Sequence, residues 1–569
     1  MRIRHLLVSN FRGVRELDWP VPNRNVVCLA GRGDSTKSTI LEALRRVFHP
    51  QWNLAFDDAD FYLCNPAHPI SIEAILGDLP DSFRDLEKYG QSLSGWNHEA
   101  LTRMDDPGDF EEVLRVRLKV AEDLEPAWTV IKRDEDDGIP FRANDRAKVA
   151  VSLIGTISDR HLTWSRGSIL SQLTESENIS SSLVGVTRAA KSALEARRAL
   201  DLIGFDEVAG TAEDTARTLG VNVVTSYKAH LDNDAVNVRI AGLALHDGDI
   251  PLRLLGLGSK RMLTTGLQRQ ALRTPHITLF DEVEVGLEPH RIARLLQHIK
   301  QDETGQYFLT THSPVVLREL TVNDLQIVHC AGGNIKVVPA NRPPISDSIQ
   351  GKIRSNAEVF LARKIIVCEG ATEVGFLRGL DDYWGGFHGW ESFAYLGIAL
   401  YDVGGASNIK EIAENLKFLG YDIAVFADSD APELFSEAHT GELRNAGISV
   451  IKWDDELSIE ERVFADIPWA GVIASFNTAC EIKGDDARLL DQVRTQFGQG
   501  FDCDVTAWAD TQQLRTALGR AAKVSGWFKR QSWSREWAAA VSVHLADVSI
   551  SESDLIRQLT SMRDWIDSV

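Results

Sequence analysis

The sequence predicts an α/β protein: two parallel-sheet units in series, followed by a helical C-terminal region. Three observations carry this reading. An apolar strand, Val26 to Ala30, runs into a glycine-containing loop, Gly31 to Thr39, and then into a helix through Ile40, Leu41, Leu44 and Val47. A second apolar run, Ile365 to Cys368, ends in Glu369-Gly370 and opens a helix that carries Glu373 in its first turn. A third, from Asp422 to Phe426, leads into Asp428-x-Asp430. Strand, turn and helix in alternation is the pattern of a parallel sheet, and ligands collect outside the carboxyl ends of such strands.

The totals set bounds. A chain of 569 residues has room for three or four domains, and its 44% hydrophobic and 25% charged residues are ordinary for soluble protein. No apolar run approaches the length of a membrane span. Met1 to Asn10 reads as a strand, its apolar part being too short for a secretory leader. The cysteines are scattered, with no CxxC pair, which predicts reduced thiols in a cytoplasmic protein without a zinc site. A net charge of −21 argues against indiscriminate nucleic-acid binding, so any contact with DNA must be local. The stretch Arg515 to Arg535 offers such a place: Arg515, Arg520, Lys523, Lys529, Arg530 and Arg535 occur without an acid, interleaved with Trp527, Phe528 and Trp533. It reads either as a surface that grips phosphates and stacks on bases or as a basic helical face whose tryptophans are core.

In chain order, Arg2 to Phe11 alternates like a strand and the glycine loop follows Val26 to Ala30. Gly31, Gly33, Asp34, Ser35 and Thr36 would present backbone N–H groups to phosphate. Lys37 would reach the β and γ oxygens, and Ser38, beside Thr39, would offer a hydroxyl to Mg²⁺. Thr36 stands where the P-loop consensus has glycine. Ser71 to Leu76, Leu114 to Val120 and Trp128 to Arg133 read as strands, the last ending in an acidic turn, Asp134 to Gly138. From Ser168 to Leu219 the composition turns to Ala, Leu, Ser, Glu and Arg at helical spacing, too short for a coiled-coil arm. It predicts a compact helical insertion and a dimer contact. Val236 to Leu254 reads as a hairpin around Asp247-Gly-Asp249.

Leu255 to Arg261 then opens a helix with Gly256, Gly258 and Ser259. His276 to Glu282 is an apolar strand ending in Asp281-Glu282, and Gln306 to Thr311 is another, ending before His312. With the P-loop, these pieces resemble ABC-type ATPase heads. The resemblance implies that ATP is held by the P-loop and by a signature loop at Gly256, Gly258 and Ser259. It makes Asp281 a Mg²⁺ ligand, Glu282 the residue that polarises the attacking water, and His312 the switch histidine. Such heads close as dimers on ATP, which implies a homodimer. Asn10-Phe-Arg-Gly13 also matches heads of the RecF and SMC kind, where the arginine, here Arg12, lies near the nucleotide.

In the C-terminal half, Glu369, Glu373, Asp428 and Asp430 lie at strand tips with no histidine or cysteine ligand among them, a donor set suited to Mg²⁺ or Mn²⁺. The order resembles the Toprim fold. Phe393 to Val403 and Ile448 to Trp453 are read as its remaining strands. Beyond them, Ser458 caps a helix in which Glu460 or Glu461 either joins the acids or completes a capping box.

An ABC-type head followed by a Toprim unit resembles the overcoming-lysogenization-defect (OLD) family of ATP-linked nucleases, to which the nuclease subunit of the Gabija anti-phage system belongs. The P-loop variant with Thr36 fits that family. The resemblance implies two-metal hydrolysis of DNA phosphodiesters with nucleotide regulating access, in DNA repair or anti-phage defence, and a possible helicase partner. It also implies a lysine near the scissile phosphate, for which Lys529 is the first candidate and Lys523 the second. A clamp of the RecF or SMC kind without nuclease activity is the alternative. The domains expected are an ATPase at 1–165 and 220–340, the insertion at 166–219, a linker at 341–361, the Toprim domain at 362–467, and a helical region with the basic patch at 468–569.

Overall fold

The computed structural model describes the chain except for residues 86, 98–100, 103–109, 133–136, 156–158, 165–167, 171–172, 174–202, 232–242, 272–275, 342–345, 546–552 and 569. It divides into two compact units, Met1–Ala357 and Glu358–Val569.

The N-terminal unit is built on a fourteen-stranded sheet. Its parallel part runs in the order Val151–Ile154, Ile277–Phe280, Gln306–Thr310, Val26–Ala30, Leu325–Ala331. Three of these strands, Val26–Ala30, Ile277–Phe280 and Gln306–Thr310, are buried at every residue. That explains why they read as continuous apolar runs rather than alternating ones. The strand that feeds the glycine loop and the strand that ends at Asp281 are not neighbours; Gln306–Thr310 lies between them. Asn334–Pro339 turns back antiparallel on Leu325–Ala331 and pairs with Val14–Pro20. From there Arg2–Phe11, Ile70–Gly77 and Glu111–Val120 continue as an antiparallel meander, with Pro126–Ile131 paired to the last. A small sheet, Tyr227–Leu231, Leu243–Asp247 and Ile250–Pro251, contains the hairpin expected around Asp247.

Of the helical insertion, Ile203–Thr218 is a helix that rests on Leu257–Ala271, where the Gln270 side-chain amide donates to Thr215 Oγ1 at 2.7 Å. Most of its remainder, most of the acidic turn after Ile131 and Arg342–Pro344 lie outside the described residues. The stretch expected to be a linker holds a helix, Ser346–Ser355.

The C-terminal unit carries four parallel strands in the order Ile398–Asp402, Lys364–Cys368, Asp422–Phe426, Ser449–Ile451. The strand expected over Phe393 to Val403 begins only at Ile398. Ser392 caps a short helix, Phe393–Leu396, by accepting from the Tyr395 N–H at 3.2 Å, and Gly397 in the left-handed region ends it. Helix Ala371–His388 leaves the tip of the central strand and packs on Gln531–Ser542. Gly375 and Gly379 lie in that seam: a Cβ on them would stand 2.4 Å from Gln531 O and 2.5 Å from Ala538 Cβ.

One apolar core reaches from Ile366 through Phe376, Trp453, Phe464 and Trp527 to Ile566. Phe528 and Trp537 stack within it at 4.2 Å and 3°. The stretches 362–467 and 468–569, read separately from the sequence, thus share one interior. Burial of each large side chain contributes about 2–3 kcal/mol.

Candidate functional site

The glycine loop is a tight backbone cradle. Gly31 sits at φ 142°, and a Cβ there would come within 2.7 Å of Val328 O. Thr36 immediately precedes the helix Lys37–Val47 with φ 63° and ψ 17°, so it holds the left-handed conformation that the consensus glycine would supply. Lys37 is folded into the loop. Its ammonium donates to Gly31 O at 3.0 Å, Arg32 O at 2.7 Å and Ser35 Oγ at 3.0 Å. Burial brings its pKa down to about 8, against the opposing pull of Cys28, Glu284, Asp281 and Asp34.

The expected metal ligands of this loop meet. Ser38 Oγ and Thr310 Oγ1 each donate to Asp281 Oδ1 at 2.7 Å. Glu282 follows at φ 48°, its N–H held by Thr310 Oγ1 at 2.8 Å. His312 is exposed, and partial desolvation and the charge of Lys37 lower its pKa against the opposing pull of Glu284, Glu282 and Asp281. A residue that the sequence reading did not single out, Glu284, organises this edge: it accepts from Thr311 Oγ1 at 2.8 Å and from the His312 N–H at 2.6 Å. Its acidic neighbours Asp281 and Glu282 drew the motif to themselves.

Of the two glycines at the signature position, Gly258 makes close contact with the loop after Glu282. A Cβ on Gly258 would lie 2.1 Å from Gly286 O, and Ser259 Oγ accepts from Arg291 at 3.1 Å. Two residues on, Arg261 is fully buried and donates to Asp281 O, while its Nε and Nη1 have no partner among the described residues. Gly256 is not in close contact. Arg12 (φ 49°) pairs with Asp60 at 2.8 Å; its neighbour Gly13 is the residue that approaches Thr36 Cγ2, at 3.0 Å from an added Cβ.

In the C-terminal unit the strand tips converge as expected. Pairing of Cys368 with Phe426 puts Glu369 beside Asp428, whose N–H donates to Glu369 Oε2 at 3.3 Å. Glu373 reaches back to accept the Gly370 N–H at 2.7 Å. Trp453, at the end of the next strand, donates its indole N–H to Asp428 Oδ1 at 3.2 Å. Sequence reading missed this role, because a buried tryptophan reads as core. Ser458 divides the two candidate acids: Glu461 forms the capping box, at 3.1 Å from the Ser458 N–H, whereas Glu460 is buried and feels Asp430.

These carboxylates repel one another. Burial, then the charges of Glu373, Glu460, Glu369 and Asp430, hold the Asp428 carboxyl far above the usual range. Burial, Glu460 and Glu369 push Glu373 up to about 8. Burial raises Glu369, with Asp430 and Glu460 adding to it and the Asp428 N–H and Lys523 opposing. Glu460 is raised by burial, with Lys529 working the other way.

This donor chemistry, five acids with oxygen ligands only and more negative charge than their surroundings balance, fits hard divalent cations. Among the described residues no group of three or more His, Cys, Asp and Glu side chains is drawn in to hold an ion as it stands. Two acids are turned to protein partners instead: Glu373 caps Gly370, and Asp430 pairs with Lys523 at 2.8 Å.

The basic patch divides between the two readings of its composition: two of its aromatic residues are core, whereas Trp533 is half-buried. Trp527 and Phe528 are fully buried core. Arg515 is bound to Asp510 and to the carbonyls of Phe464, Ala465 and Ile467, where it closes the end of helix Ile459–Asp466. Arg535 pairs with Asp382 at 2.7 Å, and Lys523 with Asp430 and Glu461. Lys529 and Arg530 remain exposed.

No helix among the described residues is long and apolar enough to cross a membrane. A comparison with curated proteins finds no match. Among solved structures, similarity extends to an SMC head bound to the C-terminal winged-helix domain of ScpA, at 14% identity and TM-score 0.38 over 59% of this chain and 97% of that one. The SMC head domain from Thermotoga maritima matches at 16% identity and TM-score 0.30, over 60% and 99%. The recombination mediator RecF bound to a nucleotide matches at 11% and 0.35, over 59% and 98%.

Two family models match the chain. One, described as "AAA domain, putative AbiEii toxin, Type IV TA system", covers residues 26–318, and the other, the TOPRIM domain of overcoming-lysogenization-defect-like proteins, covers residues 360–430. The first spans the loop at Lys37, Asp281 and His312, and the second ends on Asp430. With an AAA-type ATPase domain over half its length and an OLD-like TOPRIM domain behind it, the chain belongs to the OLD family of ATPase–Toprim proteins.

Proposed function

We propose that this protein is a divalent-metal-dependent DNA endonuclease whose ATP-hydrolysing head controls access to DNA. The observation that carries the reading is the crowd of buried and half-buried carboxylates at the strand tips, Glu369, Glu373, Asp428, Asp430 and Glu460, whose mutual repulsion favours a multivalent cation. Metal ions bound there would supply an activated water and neutralise charge on a phosphodiester in the transition state. The protein's own contributions are separate. Trp453 holds one oxygen of Asp428, the Gly370 N–H fixes Glu373, and Lys523 or Lys529 offers positive charge to the phosphate.

In the head, Lys37 would leave the loop carbonyls for the nucleotide's phosphates, Ser38 and Asp281 would hold its Mg²⁺, and Glu282 would orient the attacking water with His312 alongside. Gly256, Gly258 and Ser259 would meet the nucleotide of a second copy, which makes the working form a homodimer. DNA repair or anti-phage defence in the cytoplasm, with or without a helicase partner, is the setting that such an enzyme suits.

Incubation of supercoiled plasmid with Mg²⁺ or Mn²⁺, with and without ATP, tests the proposal. Nicked or linear DNA that disappears with Asp428→Asn supports it. Intact plasmid across the metal series, with ATP hydrolysis retained, would overturn it in favour of a clamp of the RecF or SMC kind.

A further inference from the structure

The exposed end of the basic patch, Lys529, Arg530 and Trp533, is extended in space by Lys483 and Arg488, which lie outside that run of sequence. Lys483, at the end of helix Trp469–Lys483, donates to Gly526 O at 2.8 Å and lies 3.9 Å from the centre of the Trp533 ring. Arg530 lies 4.3 Å from the same ring. Arg488 stands in the first turn of the next helix, Asp486–Phe497, just past the Gly484 turn that ends helix Trp469–Lys483, and burial, then the charges of Arg530 and Arg488, lower the Lys483 pKa. None of Lys483, Arg488, Lys529 or Arg530 forms an ion pair with a carboxylate among the described residues. Arg488, Lys529 and Arg530 are exposed and Trp533 is half-buried. A polyanion laid against these cations would relieve the repulsion among Lys483, Arg488 and Arg530.

The cluster is joined to the carboxylate centre by consecutive contacts. Asp430 pairs with Lys523, three residues before Gly526, which bonds Lys483. Lys529, in the same turn, acts electrostatically on Glu460. We propose that Lys483, Arg488, Lys529 and Arg530, gathered around Trp533, form a track for the phosphate backbone of DNA that leads a strand to the carboxylates. The proposal rests on the nuclease reading for its purpose, though binding can be measured without cleavage.

The test is fluorescence anisotropy with a labelled random-sequence DNA duplex in EDTA, across a salt series. Arg488→Ala and Arg530→Ala are each expected to weaken binding and to reduce the slope of log K against log salt by about one. Arg494→Ala, which removes an exposed arginine paired with Asp491 on the same helix as Arg488, should leave the slope unchanged. Equal losses in all three variants, no loss in the first two, or a wild-type protein that binds no duplex would each overturn the track. Salt slopes that fall as expected in a protein that cuts no plasmid with Mn²⁺ would sustain the track and dismiss the nuclease.

Discussion

The ammonium of Lys523 bridges Asp430 at 2.8 Å and Glu461 at 2.9 Å, so a cation bonded to the carboxylate centre comes from a helix far along the chain from its strands, Gln512–Ser525. Burial alone would lower the pKa of Lys523; the hydrogen bonds to Asp430 and Glu461 hold it above the ordinary value. Lys523→Met should therefore destabilise the metal-free protein. The lysine is a third exposed, so the loss is about 1 kcal/mol, or roughly 2–4 °C in the melting of the C-terminal unit. Mn²⁺ should restore more stability to this variant than to wild type, because it replaces the missing charge. Differential scanning calorimetry in EDTA and in Mn²⁺ checks both, and an unchanged melting temperature in EDTA would contradict the bridge.

The raised acids fix a direction for pH. Glu369, Glu373, Asp428 and Glu460 bind protons more tightly folded than unfolded. Between the ordinary carboxylate range near 4 and the raised values, the native state holds the extra protons, so metal-free stability falls as pH rises from about 4 to about 8. Asp428→Asn removes the most strongly perturbed charge and should stabilise the metal-free protein at pH 8, by on the order of 1–3 kcal/mol, with almost no effect at pH 4. Urea denaturation at the two pH values measures this; equal effects at both would refute it.

Because metal binding must expel those same protons, affinity should climb with pH and each binding event should release protons. Titration calorimetry with Mn²⁺ at pH 8, in buffers of different ionisation enthalpy, reads the number released. A value of zero would mean that the acids are already ionised.

Thr36 predicts a gain rather than a loss. A β-branched residue at φ 63° is strained by about 1 kcal/mol or more. Thr36→Gly should stabilise the N-terminal unit by about 1 kcal/mol and leave ATP binding intact, whereas Lys37→Ala should abolish ATP hydrolysis. Thermal melting and phosphate release report the two.

The seam at Gly375 and Gly379 has no room for a methyl group. Gly379→Ala should cost about 2–3 kcal/mol, in the range of overpacked cores. Because Glu373 begins the same helix, the change should also weaken the Mn²⁺-induced shift in melting temperature. A variant as stable as wild type would show that the helices can part freely.

How much of this could be read in advance depends on where the interaction lies along the chain. Lys37, Asp281 and His312 each follow an apolar strand, and Glu369 and Asp428 do likewise, so local pattern alone located them. Thr36 was legible as a departure but not as a left-handed residue. Which residues of the basic patch face solvent was not legible, because linear composition cannot tell Trp527, buried in the core, from Trp533, half-buried at the surface. Arg515 failed for a similar reason: its partners, the carbonyls of Phe464, Ala465 and Ile467, are some fifty positions away. The cluster of Lys483, Arg488 and Arg530 spans two helices and a turn, so no window of sequence contains it.

Lys364 opens the central strand of the Toprim sheet, and its ammonium is bonded to the carbonyls of Trp565 and Ile566. Ser534, likewise, donates to Thr372 O at 2.6 Å. The sheet's first strand thus waits for residues about two hundred positions further along the chain. During synthesis the strands described in the N-terminal unit are available once Pro339 has emerged, whereas the second unit stays incomplete until Ser534, Trp565 and Ile566 have followed. Its apolar strands are exposed for that interval, which makes it the part of the chain with most need of chaperones.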